Sequence, residues 1–402
     1  MSFENCCAMR DSAERSVTEH VDVVIIGGGI HGVGVAQAAA CDGYSVLVLE
    51  QAGLASATSG SSSKLIHGGL RYLEGLHFSL VRESLRERSL LLKLAPELVQ
   101  LQAFHIPIYP GTSRRPMTIR AGLSLYALLG GLRPANRFRA LRPGEWQDLD
   151  GLDTKHLQAV YQYYDAQTDD EALTRAVMQS AADLGAGLQC PAEFTTAEIT
   201  ADGCTVHYSH NGMDKSCSSG VLVNAAGPWI NAVAGRIHPP PPTTAVDLVQ
   251  GTHLVLEGRL EKGGYYLEAP ADRRAVFLLP WKGRMLLGTT ETVYSGDPAA
   301  VAPLAGEEAY LLETLQHYFP QRPQKVVERF AGLRVLPAAG NTVFARSRET
   351  RLETDDPHRP RVVAIYGGKL TGYRATAQRV MRLLHRTLPS RKPVANTERL
   401  KL

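Results

Sequence analysis

The sequence lacks several features that would place it in a special class of protein. Its six cysteines show no CxxC or Cys/His spacing, so no zinc site or other metal centre is predicted, and reduced thiols are expected. No stretch reaches the roughly 18 to 20 apolar residues that a membrane-spanning helix needs. Residues 1–19 contain acids and no apolar core, which excludes a signal peptide and predicts a disordered leader.

The chain also lacks a strong excess of charge of either sign. Its formal net charge is +3, and 44% hydrophobic with 21% charged residues is typical of a soluble globular protein. The densest basic run, Arg133–Arg142, is short and interrupted by Pro134. We interpret it as a solvated loop, with contact to an anionic ligand or lipid surface as the alternative. We predict no nucleic-acid partner and a cytoplasmic protein whose contact with the inner face of the membrane is at most peripheral.

What is present begins with a strand, a glycine-rich turn, a helix and a second strand. Val21–Ile26 is a continuous apolar, β-branched run, as expected for a parallel strand buried on both faces. Ile30–Cys41 is rich in small residues and is predicted to be a helix that packs closely on a sheet. Ser45–Leu49 is predicted to be the second parallel strand, and Glu50 follows it.

The turn between the first strand and the helix has the pattern G-x-G-x-x-G, formed by Gly27, Gly29 and Gly32. Such glycines allow a tight turn and let backbone N–H groups approach a pyrophosphate at the positive end of the helix. Glu50, at the end of the second strand, is placed to bind ribose hydroxyls. The unit predicts a dinucleotide cofactor, NAD or FAD. His31, inside the turn, is expected to pack over the pyrophosphate without a chemical role.

Two later segments favour FAD over NAD. "VLVNAAGPW" is a buried strand that ends in small residues, among them Ala226 and Gly227, which suits the close passage of a bulky cofactor. "IYGGKLTGYR" places Gly367 and Gly368 at the start of another helix. The N-terminus of that helix can stabilise the negative charge that a flavin gains on reduction.

The length of 402 residues predicts two domains, and the chain is expected to pass between them more than once. Residues 76–94 have the periodicity of an amphipathic helix stopped by Pro96, with its charged residues on a solvated face. Over 98–164 the pattern becomes irregular and richer in proline and arginine, which predicts an excursion away from the first sheet. The other predicted segments are a helix that begins near Asp169 or Asp170, a polyproline segment at 237–244, and antiparallel strands within 251–291.

Six segments together carry a resemblance to a known family. They are "DVVIIGGGIHGVGVAQAAA", "ATSGSSSKLIHGGLRYLEGLHFSLVRESLRER", "LVNAAGPW", "LLPWKGRMLLGTTE", "FAGLRVLP" and "YGGKLTGYR". Over roughly residues 20–388 the chain resembles the FAD-dependent glycerol-3-phosphate dehydrogenase family, within the D-amino-acid-oxidase-like flavoproteins. The resemblance implies an α/β fold in which a Rossmann-like FAD-binding domain is interleaved with a mainly antiparallel β-sheet substrate domain. The predicted FAD-binding domain comprises 20–97, 165–238 and 330–390, the substrate domain 98–164 and 239–329, and the tail 391–402.

The resemblance also implies a reaction in glycerol metabolism. The C2 hydroxyl of sn-glycerol 3-phosphate would be oxidised to a ketone, giving dihydroxyacetone phosphate, with hydride passing to N5 of a non-covalently bound FAD. Electrons would then leave to quinone, oxygen or a partner protein. Family members continue with a C-terminal helical domain, whereas this chain stops at Leu402, and we leave the oligomeric state and the electron acceptor open.

The segment "SSSKLIHGGLRYLE" is implied in binding both cofactor and substrate. Ser61, Ser62 and Ser63 are expected to hydrogen-bond the cofactor. Gly68, with Gly69 beside it, is expected to leave room for the flavin ring.

Arginines are implied for the phosphate of the substrate. Arg71 and Arg334 resemble phosphate-binding arginines of the family, and guanidinium forks suit a phosphate better than lysines do. Arg348 is a third candidate, with Arg346 as its competitor. Arg334 is also assigned to the catalytic set.

Proton transfer is assigned to His67, because an imidazole titrates near neutral pH. The alternative is a histidine that only positions the flavin. Lys369 is expected to polarise the flavin carbonyl or contact the substrate, and the alternative is a plain surface lysine after the Gly-Gly pair. Tyr72 and Tyr373 either line the pocket or pack in the core. The predicted cofactor-binding residues around Lys369 are Gly367, Gly368, Lys369, Leu370 and Thr371.

Two other functions remain open from the sequence. The first is an oxidase or dehydrogenase of the same fold that acts on an amine, an amino acid or a 2-hydroxy acid, since one arginine can hold a carboxylate. The second is a flavin-binding partner protein without turnover. Reduction of the bound flavin by a panel of substrates separates these alternatives.

Overall fold

The structure is a computed structural model that describes residues 20–338 and 350–402. The predicted leader and the candidates Arg346 and Arg348 lie outside the described residues. The described chain divides into two compact units. Unit 1 comprises the residues up to Gly60, Asp169–Leu248 and the residues from Val335 onward, and unit 2 comprises Ser61–Thr168 and Val249–Arg334.

The described elements are numbered in chain order. The strands are β1 His20–Ile26, β2 Val46–Leu49, β3 Leu65–Ile66, β4 Val99–Ile108, β5 Arg139–Ala140, β6 Ala159–Thr168, β7 Gly187–Gln189, β8 Ala192–Ile199, β9 Cys204–His210, β10 Met213–Asn224, β11 Ile237–His238, β12 Val246–Leu256, β13 Gly264–Glu268, β14 Ala275–Trp281, β15 Arg284–Gly288, β16 Thr292–Tyr294, β17 Val326–Pro337, β18 Arg351–Thr354 and β19 Val362–Tyr366. The α-helices are α1 Ile30–Cys41, α2 Phe78–Leu94, α3 Pro116–Leu129, α4 Asp170–Asp183, α5 Ile230–Ala234, α6 Ala305–Tyr318 and α7 Tyr373–Leu384.

Unit 1 is built on a nine-stranded sheet in the order β11-β8-β9-β10-β1-β2-β7, with β19 joined to β10 and β18 to β19. Strands β10, β1, β2, β7 and β19 pair in parallel. Their carboxyl ends therefore lie along one edge of the sheet. The chain leaves β1 toward β2 on one side and later returns to β10 on the other, and ligands of open α/β sheets bind at such a switch point.

Small residues let the helices of unit 1 pack closely. Helix α1, confirmed with its predicted bounds, contacts both α4 and α7. A Cβ on Gly34 would lie 2.7 Å from Cδ2 of Tyr373 in α7. The amide of Gln37 donates to Ser180 Oγ in α4 at 2.9 Å.

Unit 2 is built on a ten-stranded, mainly antiparallel sheet. The order is β16-β12-β15-β14-β13-β4-β6-β3, with β17 joined to β12 and β5 to β6. The antiparallel strands predicted within 251–291 are confirmed by the pairing of β12 with β15 and of β14 with β15. One hydrophobic core lies around α6, and a second contains residues of α2 and α3.

The prediction that residues 98–164 leave the first sheet is confirmed, because their strands belong to the sheet of unit 2. This stretch contains the ten-residue strand β4, the helix α3 and most of the ten-residue strand β6. Strands β4 and β6 pair with each other along their whole length. Pairing along a full strand satisfies the backbone polar groups even where the side-chain pattern is broken by Pro107 or Asp165.

The boundaries of the two units differ from the predicted domains in residues 61–97. The prediction placed this stretch in the FAD-binding domain, whereas in the structure it belongs to unit 2. Strand pairing gives the reason, because β3 pairs with β6. Helix α2 also places Val81 and Leu85 in the same hydrophobic core as Phe104 of β4.

The prediction that the charges of α2 form a solvated face is wrong for Glu87 and Arg88. These residues are 1% and 0% exposed, whereas Arg82 and Arg86 are exposed. Arg88 pairs with Asp165 of β6. A buried charge persists only when it is paired and hydrogen-bonded.

The basic run Arg133–Arg142 is confirmed as solvated in its arginines, all of which are exposed. Asn136 within it is buried instead, and its Oδ1 accepts a hydrogen bond from Arg88. In the part of the chain that the structure describes, no helix is long and apolar enough to cross a membrane. The same residues contain no cluster of His, Cys, Asp and Glu that could hold a metal ion.

Candidate functional site

The glycine turn of unit 1 is bare backbone packed between two strand ends. Gly27 has a φ of 108°, which favours glycine, and its N–H donates to Leu49 O at 2.9 Å. A Cβ on Gly27 would lie 2.6 Å from Ala225 O, and a Cβ on Gly32 would lie 1.9 Å from Gly27 O. No larger residue fits at either position without moving the turn.

The N-terminus of α1 has a side-chain partner that the sequence analysis missed. Ile30 N donates to Ser59 Oγ at 2.9 Å, and Gly29 at the N-cap has no side chain of its own. The first turn of α1 carries no acidic residue. The positive end of the helix dipole is therefore not neutralised from within that turn, which suits an anionic ligand.

Glu50 is held rigidly at the end of β2 and is buried. Its Oε2 accepts from Gly28 N at 2.6 Å, and its Oε1 accepts from Ala52 N at 2.8 Å and Gly53 N at 3.2 Å. A carboxylate has about four lone-pair sites, so these three bonds leave room for one more donor, such as a ribose hydroxyl. Gly28 was also not among the predicted site residues. A Cβ there would lie 2.9 Å from Glu50 Cγ, so the close approach of Glu50 depends on this glycine.

Ala226 and Gly227 follow β10 at the same edge of the sheet as the glycine turn. Asn224 pairs with Ile26 in the parallel register and is buried. Its side chain fixes the segment, since Oδ1 accepts from Ala226 N at 3.2 Å and Nδ2 donates to Ile230 O at 2.8 Å. No described atom lies within 4 Å of the position that a Cβ on Gly227 would take.

The turn after β19 lies against His31. Gly367 and Gly368 have φ values of 70° and 110°, and a Cβ on Gly368 would lie 2.1 Å from His31 Nε2. Burial, and then the charge of Arg379, lower the pKa of His31 to about 4. The imidazole is therefore neutral at physiological pH, and its packing over the pyrophosphate without a chemical role stays a prediction.

The residues after this turn divide into two groups. Lys369 is half-buried at the N-cap of the short 3-10 turn Leu370–Gly372, in which Thr371 is buried. Tyr373 is 1% exposed, and its ring lies against Gly34 of α1. This placement favours the core alternative for Tyr373 over a position in the substrate pocket.

In unit 2, His67 and Tyr72 lie on the same turn, and their rings pack against each other. The two rings are stacked, with centroids 6.4 Å apart and an interplanar angle of 26°. Gly69 has a φ of 78°, and a Cβ there would lie 2.2 Å from Cδ2 of Tyr72. The second glycine of the pair is therefore required by the tyrosine ring.

Gly68 is required by a buried polar network. Its N–H donates to Tyr126 Oη at 2.9 Å and to Asp165 Oδ1 at 3.1 Å. A Cβ on Gly68 would lie 2.3 Å from Tyr126 Oη. A contact between Gly68 and the flavin stays a prediction.

Arg334 is oriented by three consecutive residues of unit 2. Its Nη2 donates to Thr289 Oγ1 at 3.2 Å, its Nη1 donates to Thr290 O at 3.3 Å, and Glu291 Oε1 lies 3.5 Å from Nη1. Arg71, also half-buried in unit 2, lies near Tyr266. Burial raises the pKa of Tyr266, and the charges of Arg114 and Arg71 oppose that shift.

Two of the three predicted serines are bonded to other groups of unit 2. Ser62 Oγ accepts from Lys64 N at 3.1 Å, and Ser63 Oγ lies 2.9 Å from His253 Nε2. The backbone of Ser61 lies against Gly332, where a Cβ would come within 2.8 Å of Ser61 O. Their hydrogen bonds to a cofactor stay a prediction.

Lys64 and His253 are buried groups of this region that the sequence analysis did not assign. The ammonium of Lys64 lies 5.0 Å from the ring centroid of Phe330 and 5.6 Å from that of Trp281. The ring of His253 stacks on Phe330 at 5.0 Å, and burial, followed by the charges of Arg334 and Lys64, lowers its pKa well below the usual value. Lys64 lay within a recognised motif, whereas His253 is a lone histidine in a strand and gave no sequence signal.

The predicted site residues therefore fall into two groups. His67, Arg71, Tyr72 and Arg334 belong to unit 2, and Lys369 and Tyr373 belong to unit 1. The family model described as FAD dependent oxidoreductase matches residues 22–377, which is most of the chain. The chain belongs to the FAD-dependent oxidoreductase family.

Individual relatives agree with this membership. A glycerol-3-phosphate dehydrogenase of Pseudomonas aeruginosa is 36% identical over 368 residues, which cover 90% of this chain and 71% of that protein. A D-erythritol 1-phosphate dehydrogenase of Brucella abortus is 34% identical over 381 residues, which cover 92% of this chain and 75% of that protein. The X-ray structure of a glycerol-3-phosphate dehydrogenase from Bacillus halodurans, complexed with FAD, has a TM-score of 0.75 at 24% identity, covering 96% of this chain and 68% of that chain.

This FAD-dependent oxidoreductase has the predicted D-amino-acid-oxidase-like fold, and the predictions of an enzyme and of FAD are confirmed. The unit 1 residues fit the adenosine diphosphate half of FAD. The Gly27–Gly32 turn and the N-terminus of α1 would hold the pyrophosphate, and Glu50 would hold a ribose hydroxyl. Hydrogen bonds and the helix dipole are sufficient for this, so we predict FAD that is released on acid precipitation.

Gly32→Ala is expected to weaken FAD binding by at least roughly tenfold, because a Cβ 1.9 Å from Gly27 O forces the turn to move at a cost of about 1–3 kcal/mol. The ratio of FAD to protein after purification measures the effect. Gly235→Ala is the matched control, since a Cβ there would make only ordinary contacts of 3.6 Å or more. A folded Gly32→Ala variant with full FAD content would contradict the assignment.

Proposed function

We propose that this FAD-dependent oxidoreductase oxidises the C2 hydroxyl of sn-glycerol 3-phosphate to a ketone, giving dihydroxyacetone phosphate. The observation that carries the proposal is the 34 to 36% identity, over about nine-tenths of the chain, to relatives named glycerol-3-phosphate dehydrogenase. FAD, when bound, supplies the hydride acceptor. The chain must supply a phosphate clamp and a proton acceptor for the hydroxyl.

Arg334 is the proposed centre of the phosphate clamp. Its guanidinium is a planar fork of about five N–H donors, the geometry that binds an oxyanion bidentately, and it donates to Thr289 Oγ1 and to Thr290 O. Glu291 and the threonines fix the guanidinium before substrate arrives, which reduces the ordering cost of binding. Arg71 is proposed as the second arginine of the clamp, and Arg348 as a third.

His67 is proposed to accept the proton of the C2 hydroxyl. It is half-buried on a turn that is fixed on one side by Tyr72 and on the other by the hydrogen bonds of Gly68. A proton acceptor is most effective when its geometry is set in advance. Lys369 is proposed to contact the flavin carbonyl or the substrate.

The proposal also covers the fate of the electrons and the location of the protein. Electrons are proposed to pass to quinone, oxygen or a partner protein, and the protein is proposed to be cytoplasmic with at most peripheral membrane contact.

Anaerobic reduction of the bound flavin by a substrate panel tests the proposal. sn-Glycerol 3-phosphate is expected to bleach the flavin, whereas glycerol, glycine, proline and lactate are not. Bleaching by an amino acid or a 2-hydroxy acid alone would favour the rival oxidase, and no bleaching by any compound would favour the non-catalytic flavin protein.

A second phosphorylated polyol belongs in the same panel. The relative from Brucella abortus, 34% identical, is named D-erythritol 1-phosphate dehydrogenase. Both polyol phosphates present a phosphate and a secondary hydroxyl, the two groups that the proposed clamp and proton acceptor bind. Comparison of kcat/KM for the two compounds decides between them.

Arg334→Ala should lower kcat/KM for sn-glycerol 3-phosphate by roughly 10- to 100-fold, since a charge-assisted hydrogen bond is worth about 1.5 to 3 kcal/mol. Any weak activity on unphosphorylated glycerol should be nearly unchanged. Arg334→Lys keeps the charge but loses the fork of donors. Its kcat/KM for sn-glycerol 3-phosphate should lie between those of the unaltered protein and Arg334→Ala. The measurement is steady-state kinetics with both substrates.

Arg329→Ala is the matched control, because Arg329 is exposed on the same strand and pairs with Glu308 at 2.9 Å. It should leave kcat/KM unchanged. Parallel loss of activity on both substrates in Arg334→Ala, with FAD still bound, would assign Arg334 to the flavin or the transition state and remove it from the clamp.

A further inference from the structure

A buried carboxylate lies at the start of α6 in unit 2. Glu307 is the third residue of this helix and is 6% exposed. Its two oxygens accept five hydrogen bonds. The donors to Oε2 are Gln250 Nε2 at 2.6 Å, Thr252 Oγ1 at 2.6 Å and Leu304 N at 3.2 Å. The donors to Oε1 are Thr290 Oγ1 and Thr292 Oγ1, each at 2.7 Å.

This carboxylate is ionised, and its charge fixes the direction of every bond around it. Burial is the largest influence and raises the pKa of Glu307, but hydrogen bonds from Thr252, Thr290, Thr292 and the backbone of Leu304 together lower the pKa below its usual value. An ionised carboxylate can only accept, so each threonine hydroxyl must point its hydrogen at Glu307.

Glu307 thereby connects three segments of unit 2. Gln250 and Thr252 belong to β12, Thr290 and Thr292 lie after β15, and Glu307 itself lies on α6. Thr290 is bonded to both Glu307 and β12. Its hydroxyl donates to Glu307 and accepts from Thr252 N at 2.9 Å, so the position of this threonine is determined from two sides.

The same segment orients Arg334. The guanidinium donates to Thr289 Oγ1 at 3.2 Å and to Thr290 O at 3.3 Å, and Glu291 lies 3.5 Å away. Thr290 therefore contacts Glu307 through its side chain and Arg334 through its carbonyl. Glu307 acts on Arg334 through one intervening residue.

Strand β12 contributes a second connection. A Cβ on Gly251 would lie 2.8 Å from Nη2 of Arg334 and 2.5 Å from Thr289 Oγ1. The guanidinium therefore lies against bare backbone, and the two residues that flank this glycine, Gln250 and Thr252, both donate to Glu307. Both surfaces that confine the guanidinium are held by the same carboxylate.

We infer that Glu307 is a positioning residue that fixes the Arg334 guanidinium in the direction in which it binds the phosphate of the substrate. The inference rests on the proposed function, in which Arg334 holds that phosphate. A clamp that is fixed before binding loses less freedom when the substrate arrives, so a defect in Glu307 should appear as weaker substrate binding.

Glu307→Gln tests the inference with little change of shape. Leu304 N can only donate, and Gln250 Nε2 is held as a donor here because it also donates to Ala302 O at 2.9 Å. The new amide nitrogen must therefore face Thr290 and Thr292, and the Thr290 hydroxyl must then point its hydrogen elsewhere. We expect KM for sn-glycerol 3-phosphate to rise by roughly tenfold, on the order of one lost charge-assisted hydrogen bond, with kcat within about twofold. An unchanged KM, or a fall in kcat alone, would overturn the inference.

Glu308→Gln is the matched control. It makes the same substitution with the same change of charge one residue further along α6, where Glu308 pairs with Arg329. KM and kcat should both stay as in the unaltered protein. An equal rise of KM in both variants would assign the effect to net charge and overturn the inference.

Thr290→Val is a second test, to be measured if Glu307→Gln does not fold. Valine has nearly the same volume as threonine but no hydroxyl. The substitution removes the hydroxyl that joins Glu307 to the segment that holds Arg334. It also removes the acceptor of Thr252 N. We expect KM to rise in the same direction, by several-fold, because two buried hydrogen bonds are lost. An unchanged KM in a folded Thr290→Val protein would contradict the connection.

The double variant Glu307→Gln with Arg334→Ala separates a positioning role from a general structural one. If Glu307 acts through Arg334, its replacement should change KM by less than about twofold once Arg334 is gone. The same tenfold rise in both backgrounds would show that Glu307 acts elsewhere.

Melting temperatures test the inference even if sn-glycerol 3-phosphate fails to reduce the flavin. The proteins compared are the unaltered protein, Glu307→Gln, Arg334→Ala and the double variant. Glu307→Gln and Arg334→Ala break one shared set of contacts, so their effects on the melting temperature should be less than additive. Full additivity would overturn the inference whatever the substrate is. Failure of sn-glycerol 3-phosphate to reduce the flavin, with non-additive melting, would overturn only the proposed function.

Discussion

Arg88→Met should lower the free energy of unfolding by about 3 to 5 kcal/mol, because it leaves a buried carboxylate without its charge partner. Arg88 is 0% exposed, and its Nη1 donates to Asp165 and, at 2.8 Å, to Tyr164 O. Its Nη2 donates to Asn136 Oδ1. The substitution removes these donors from the buried Asp165 and Asn136 side chains and from the carbonyl of Tyr164.

Denaturant unfolding followed by circular dichroism measures this effect. Arg82→Met is the matched control, because Arg82 is exposed on the same helix, and a surface substitution should stay within about 0.5 kcal/mol. The double variant Arg88→Met with Asp165→Asn should recover part of the loss, since it removes the unpaired charge but keeps an acceptor for Gly68 N. Equal stability of Arg88→Met and Arg82→Met would show that the ion pair does not contribute.

The sequence contained part of the signal for Arg88. Val81, Leu85 and Arg88 lie at helical spacing, so the arginine belongs to the apolar stripe of α2, not to its charged face. Its partner Asp165 is 77 residues away along the chain, so no local pattern connects the two residues. Without that partner, burial of an arginine is the less favourable interpretation, which is why the pattern alone was misleading.

Local patterns predicted the cofactor end of the molecule much better. The bounds of α1, the strand pair β1 and β2, and the position of Glu50 all follow from a short stretch whose contacts are close in sequence. The same holds for the glycines, since Gly32 meets the carbonyl of Gly27 only five residues away. Ser59 was missed because its contact with Ile30 spans 29 residues and no motif marks it.

The substrate end depends on contacts that sequence separation hides. Arg334 was found through resemblance, but Thr289 and Thr290, which orient it, are 45 and 44 residues away. Glu307 looks like an ordinary acid in the first turn of a helix, where Asp and Glu are common. Only the tertiary arrangement shows that four side chains from β12 and the segment after β15 converge on it.

The buried network around Arg88 also bears on the proton acceptor. Asp165 and Tyr126 both accept from Gly68 N, and Gly68 directly follows His67. The backbone that follows the histidine is therefore hydrogen-bonded to Asp165, the partner of Arg88 in a buried ion pair. A change at His67 itself should consequently alter chemistry without loosening the turn.

His67→Asn should lower kcat by roughly 100-fold or more, as for the loss of general-base catalysis, while FAD stays bound. Asparagine keeps a polar side chain of similar length but cannot accept the proton of the C2 hydroxyl. The pH profile of kcat/KM should lose the limb that reports the base. His77→Asn, the same substitution at a half-buried histidine preceding α2, is the matched control and should leave turnover unchanged. Retained turnover with an unaltered pH profile in His67→Asn would assign the ring to flavin positioning alone, and the proton acceptor would have to be sought among the other groups of the site.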